Sequence, residues 1–300
     1  MSRITGRPTT GSLDPFGTGP TNSNYSGTAT AVNRAQAYSA IPASGTQPSS
    51  GTGVFDPNAF TYVGQKFDTS DGRVLTFVQN GAVALAAGVL CQAPAEVTAF
   101  QKLAMTVPTA YPATAGTFQI LVTNGSTVLK VNQFQQGYAI VSSGTGIGQT
   151  FKIASHAPAA NAATFVVNLE DPIQTTLDAT SKISLLYNPY IGIIITPITT
   201  ATGGPAGVTI APIAASTAAT YDGTSGALTA NGTAQYGLIA TKGPVSCLID
   251  NTVTNVGYPL GVGKTTAGTL GVATLTTVPQ IAVSMQTLTS ANNGLVYLQL

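Results

Sequence analysis

From about residue 60 to its end this chain is written in apolar runs of strand length, cut at short intervals by Gly, Pro, Asn and Asp. That punctuation leaves little room for helices and asks for antiparallel β structure. In "TFQILVTNGSTVLKV", residues 117–131, Phe118, Ile120 and Val122 fall on one face, Asn124-Gly125 reads as a hairpin turn, and Val128 and Val131 resume the strand. "ATFVVNLED" at 163–171 alternates in the same way, with Phe165, Val167 and Leu169 on its apolar side. "KISLLYNPYIGIIITPI" at 182–198 gives two Ile-rich runs broken at Asn188-Pro189, both expected to be buried. The last hundred residues supply "QYGLIATKGPVSCLI", "GTLGVATL", "VPQIAVSMQTL" and "NNGLVYLQL", the short, evenly spaced strands of sandwiches and barrels. One short helix is expected at residues 94–105, opened by Pro94.

Residues 1–58 differ. They are dominated by Gly, Ser, Thr, Pro, Asn and Ala and sustain neither a twofold nor a helical period. Isolated large apolar side chains, Ile4, Phe16, Tyr25, Tyr38 and Phe55, stud this stretch. A plain linker has little use for them, so two readings stand: a disordered tail, or an arm that lays these anchors into a partner. Fully extended, such an arm spans at most roughly 190 Å. The Gly-Pro-Ala-rich passage at 196–217 reads as a connection between two β units. The expected organisation is an extended arm over 1–58, a β domain over 59–204 and a C-terminal β domain over 205–300, both units small, antiparallel and sandwich-like or barrel-like.

Charge is scarce. Only 7% of the residues are charged, 11 Lys and Arg against 10 Asp and Glu, while 43% are hydrophobic. A neutral surface with almost no net charge favours association over life as a free monomer. No polybasic stripe is present for phosphate and Trp is absent as a stacking platform, so nucleic acid is not an expected partner. The first twenty residues hold no apolar signal region and no run reaches about 18 apolar residues. Synthesis and folding in a cytoplasm, without a membrane partner, are therefore expected. Cys91 and Cys247 sit in apolar contexts and read as buried free thiols, not as a disulfide or zinc pair.

Candidate chemistry is thin. "GVGKTT" at 261–266 matches the end of a phosphate-binding loop, but the glycine that pattern needs earlier is Tyr258, and no helix pattern follows. "GTGIGQ" at 144–149 reads as a loop between strands. His156, the single histidine, has no nucleophile elbow to serve and reads as a satisfied or loop residue. Glu170 and Asp171 are neighbours that would point to opposite faces of a strand. Asp178 and Asp222 stand in turn-like contexts, where such side chains bond their own backbone. In "YGLIATKGPVSCLID" at 236–250, Lys242-Gly243-Pro244 reads as a solvated turn between two strands. No catalytic, cofactor or metal residue is assigned.

Three blocks, "GTGIGQTFKI" at 144–153, "LEDPIQTTLDATSKISLLYNPYIGIII" at 169–195 and "YGLIATKGPVSCLID" with the later "IAVSMQTL" and final "GLVYLQL", resemble the head decoration, or cement, proteins and head-fibre proteins of tailed bacteriophages. The resemblance covers roughly residues 75–300 and carries no signature site. It implies a virion protein on the outer capsid surface, usually a homotrimer, that contacts the major capsid protein and stabilises the head without enzymatic activity. The arm anchors Ile4, Phe16, Tyr25, Tyr38 and Phe55 become its candidate capsid contacts. The alternatives are a tail or fibre component, or a glycan-binding adhesin; a glycan-cleaving one would need two carboxylates within about 10 Å in a groove.

Overall fold

A computed structural model of the chain describes residues 45–46, 63–101, 105–109, 113–198, 202–273 and 280–300. The protein is mainly β, with 45% strand and 1% helix. Its first ring contains β3 (Val74–Asn80), β4 (Leu90–Gln92), β11 (Ile191–Ile195), β12 (Pro205–Thr209) and the front half of β15 (Gln235–Leu248). Around this ring β3, β15, β12, β4 and β11 pair antiparallel in turn, and the parallel partners Ile191 and Gln79 close it. β2 (Lys66–Asp68) pairs along β3.

The second ring is a closed six-stranded barrel of β5 (Met105–Thr106), β6 (Gln119–Thr123), β7 (Tyr138–Ser143), β8 (Thr150–His156), β9 (Thr164–Leu169) and β10 (Lys182–Leu186). It is inserted in the chain between β4 and β11. The third unit takes the back half of β15 with β16 (Pro259–Val262), β17 (Leu270–Val272), β18 (Ala282–Ser284) and β19 (Asn293–Gln299). The three units share one design. The antiparallel orders β3-β15-β12-β4, β6-β9-β8-β7 and β15-β19-β18-β16 are equivalent, each connected from its first strand to its last along the chain. Each is stapled by one reciprocal backbone pair between the two loops: Leu85 with Ile213, Leu129 with Ala159, Val253 with Leu288. In the third unit a parallel bridge from Ile249 to Leu270 plays the part of the parallel closure in the first.

The division expected at 204/205 does not separate sheets, because β12 begins at Pro205 and pairs with β4 on one side and β15 on the other. The passage at 196–217 is thus no simple connection but contributes a ring strand. The two runs at 182–198 form strands of different rings. β10 is buried along its middle, whereas only Ile193 of β11 is fully buried. The chain changes ring at Asn188, whose side-chain amide donates to the Val63 carbonyl at 2.9 Å and whose carbonyl oxygen accepts from the Tyr190 amide.

Cores follow the alternation of side chains along strands. The second barrel encloses its own, with Phe100, Phe134, Ile120, Val122, Ile153 and Leu185 fully buried. The first and third units are joined by theirs. Along β15, Leu238 and Ala240 face the core shared with the third unit, while Ile239 between them faces the interior of the first ring. A strand buried on both faces loses its polar alternation, which is why "GLIAT" reads as one apolar block.

Three local expectations are corrected. Residues 236–250 hold no turn: β15 runs unbroken through Lys242-Gly243-Pro244, pairing with β3 before it and β19 beyond it. Gly243, at φ +92°, makes the bend, and a Cβ there would lie 2.9 Å from the Arg73 Cα. Asn124-Gly125 does not fold β6 back onto Val128 and Val131. The Asn124 side chain instead donates to the carbonyls of Thr127 and Ala160 at 2.8 and 2.9 Å, and Leu129 pairs with Ala159. β6 pairs with β9, and Phe118, just before it, is 51% exposed. The helix expected at 94–105 shrinks to one 3-10 turn at Thr98–Phe100. Val97 before it is extended and offers no side-chain cap, and Gln101 after it is extended again.

Candidate functional site

Among the described residues, most side chains singled out in the sequence as candidates for chemistry are committed to holding the fold. His156 is 2% exposed in the second barrel. Its Nε2 accepts from the Phe134 amide at 2.9 Å, so Nδ1 carries the proton and faces the Ala157 carbonyl at 3.0 Å. Burial pushes the imidazole below its usual pKa, against the opposing pull of the Ala157 bond. Both ring nitrogens are used.

The phosphate-loop lookalike is filled from within. The amides of Lys264, Thr265 and Thr266 converge on the Asp250 carboxylate, at 2.9, 3.1 and 3.0 Å, and the Thr265 hydroxyl joins them. A concave set of backbone donors is an anion site. Here the anion is the chain's own carboxylate at the end of β15. Burial raises that carboxyl, but the Thr265 hydroxyl and the three amides outweigh it, and its pKa lies below the ordinary value. The same loop reaches back to the first unit. Gly268 donates to the Thr196 carbonyl at 2.8 Å and accepts from the Leu90 amide at 2.7 Å.

The remaining candidates cap turns or brace the surface. Asp178 accepts from the Thr145 hydroxyl at 2.6 Å and from Thr180, and Asp222 accepts from Thr224 and Ser225. These hydrogen bonds hold both carboxyls below their ordinary pKa. Glu170 meets Lys152 at 3.4 Å. "GTGIGQ" forms the turn between β7 and β8, with Gly144, Gly146 and Gly148 all at positive φ. Cys91 and Cys247 are buried free thiols, and burial pushes each up to about 12. Among the described residues, no three or more His, Cys, Asp or Glu side chains gather as a metal ion would need.

What the structure leaves open is a surface. On the outer face of the third unit, Pro244, Tyr297, Val283 and Pro259 lie side by side across four strands. A second row holds Ser246, Leu295 and Met285, the last bonded through its amide to the Leu295 carbonyl. Leu295 and Tyr297 are 39% and 36% exposed. Beside Leu295, where the third unit meets the first, lies a half-open recess of about 270 Å3 lined in part by Arg73, Gly88, Pro244, Ser246, Asn293 and Leu295. On the far side of β18 from β19, the loop entering β16 carries Val256, 65% exposed, and Tyr258.

The corresponding strands of the second unit differ. There Gln119, Asn168 and Ser155 form a hydrogen-bonded polar ladder at 2.9 and 2.8 Å, alongside half-buried Leu121 and Val166 and near the Lys152–Glu170 pair. The sequence signal for the apolar face was "GLVYLQL", where apolar residues occupy outward as well as inward positions. Sequence reasoning read only a paired terminal strand there. The arm residues Ile4, Phe16, Tyr25, Tyr38 and Phe55 lie outside the described residues. One short piece of the arm is described: β1 (Gly45–Thr46) pairs antiparallel with Tyr236 and Gln235 at the start of β15.

Comparison with protein-family models, with curated proteins and with solved structures finds no match.

Proposed function

We propose that this chain is a non-enzymatic structural protein of a virion: a decoration or cement protein on the outer surface of a tailed-bacteriophage head, made in the host cytoplasm. It self-associates, as a trimer, and bridges subunits of the major capsid protein. The observation that carries this reading is the apolar outer face of the third unit, in a chain whose histidine, thiols and turn aspartates are spent on internal structure. A large exposed apolar face marks a binding surface. The resemblance of the blocks at 144–153, 169–195 and 236–250 to decoration and head-fibre proteins supplies the kind of assembly. The arm fits the same role, since β1 adds to the edge of β15 and so anchors the arm to the body at one point.

The test is to mix the full-length protein with undecorated phage heads and image them. Occupancy that saturates at symmetry-related positions on the capsid is expected. Protein found on tails, or heads left bare at saturating concentration, would overturn the reading. A second arm of the test uses a 59–300 fragment, which should bind heads far more weakly. Equal occupancy would place attachment in the β body.

A further inference from the structure

We propose that the outer face of the third unit is where copies of this chain meet, head to tail, the loop at residues 254–258 of one copy seating in the recess beside Leu295 of the next. This deepens the self-association in the reading above and rests on it only for the setting. The first argument is internal. Three units share one strand order, yet the second sets a polar ladder and an ion pair beside Leu121 and Val166 on its equivalent face, and the third fills it with Pro244, Leu295, Tyr297, Val283, Met285 and Pro259. The fold does not require that apolar face, so a contact must account for it.

The second argument concerns the occupant. Residues 242–300 carry three charged side chains, Lys242 exposed at the border of this face opposite Gln299, Asp250 enclosed by loop amides, and Lys264, whereas residues 105–186 carry six; at the recess Arg73 is paired with Asp71 at 2.7 Å. A face whose two central rows hold no charged side chain offers little to a charged foreign partner and is compatible with its own copy, and interfaces between identical subunits are the more apolar kind. The third argument is shape. The recess lies on the β15 and β19 side of the face, and the exposed Val256 and Tyr258 precede β16 on the other side. A hollow and a projection at different places on one surface make a heterologous contact, which closes into a ring when the rotation between copies divides a full turn and otherwise runs on as a filament; the trimer proposed above is the closed case. The four-strand face measures roughly 19 Å across and, along the three residues of β18, about 10 Å, or about 200 Å2. That is about a quarter of the roughly 800 Å2 each partner gives to a standard interface, so the loop and the recess must join it.

The experiment is sedimentation of the full-length protein and three variants at matched concentration. Wild type should run as a closed oligomer. Tyr297→Lys on the face and Val256→Lys on the loop should each run at the 30.2 kDa of one chain, and Gln119→Lys on the second unit should assemble as wild type does. Mixing the Tyr297→Lys and Val256→Lys proteins should restore one intact contact and yield dimers that grow no further. All substituted positions are at the surface, and unchanged melting temperatures confirm that each variant folds. A monomeric wild type, variants that still assemble, or a mixture that stays monomeric would each overturn the proposal. Head binding is measured separately: a variant that assembles but leaves heads bare counts against the decoration reading and leaves this contact standing.

Discussion

Thr265 turns both its backbone amide and its hydroxyl toward the Asp250 carboxylate, so one residue of the loop at 263–269 supplies two of the donors that hold it. Asp250→Ala would leave inward-pointing amides without a partner and should destabilise the protein by about 2–3 kcal/mol. Because the folded pKa is lowered, this contribution is complete above the ordinary value of 3.8 and is lost as pH falls through the lower folded value. Urea titrations of wild type and variant from pH 7 down to pH 2 should converge at the acid end. A constant gap would mean that the carboxylate charge is irrelevant.

Asn80 and Asn124 occupy equivalent corners of the first and second rings. Each side-chain amide donates to the carbonyl three residues on and to two carbonyls of the facing loop, and each side-chain oxygen accepts from the following glycine. Replacing either by Asp removes every donor at once and sets an anion among carbonyls. Each variant should lose at least about 2 kcal/mol in a denaturant melt, and similar losses at the two sites would reflect their shared geometry.

Gly243→Ala should destabilise by roughly 1–3 kcal/mol, because an L residue at φ +92° is strained and its Cβ would press on Arg73 and Gly72. Gly223→Ala, at a glycine with open space around it, is the control. Equal melting temperatures for the two would show that the bend in β15 tolerates a side chain.

The imidazole of His156 is held neutral by burial, below the ordinary 6.5. Between 6.5 and that lower value the unfolded chain takes up a proton that the folded one refuses, so stability should fall as pH falls through the window. Comparing stability at pH 7.5 and 5.5 for wild type and His156→Gln tests this, since the variant should lose that part of the pH dependence.

Cys91 and Cys247, with thiols pushed up to about 12, should resist a thiol reagent at pH 8 in the folded protein and react fully in denaturant. Rapid labelling of the native protein would contradict their burial.

The strand content, the buried thiols, the capping aspartates and the satisfied histidine were legible because each depends on local chemistry. Phe165, Val167 and Leu169 all face the core, as their alternation required. The architecture was hidden where distant residues decide it. Asn124 looked like half of a hairpin turn, and nothing nearby in sequence announces that its amide will bind carbonyls at 159 and 160. Lys242-Gly243-Pro244 carries the composition of a turn, yet seven partners on β19 and the β3 edge keep the strand running. The stretch at 261–266 was set aside as an incomplete phosphate-loop match, and nothing nearby in sequence shows that its amides hold an anion or that Asp250 supplies it, since the loop is brought to Asp250 by pairing of β16 with β17. The outward Leu295 and Tyr297 were visible only as strand letters, because which face of a sheet lies open depends on the rest of the fold.

The insertion of the second barrel between β4 and β11 decides how the molecule would bear tension. Ile194 and Gln92 are direct partners, so the chain enters and leaves that barrel through adjacent strands about 5 Å apart. A pull between the β1 attachment and the C-terminal strand β19 therefore runs along β15, loading its ladder of paired residues in shear, while the inserted barrel hangs to one side as a slack loop. It would be stretched only after the pairing of β4 with β11 had torn.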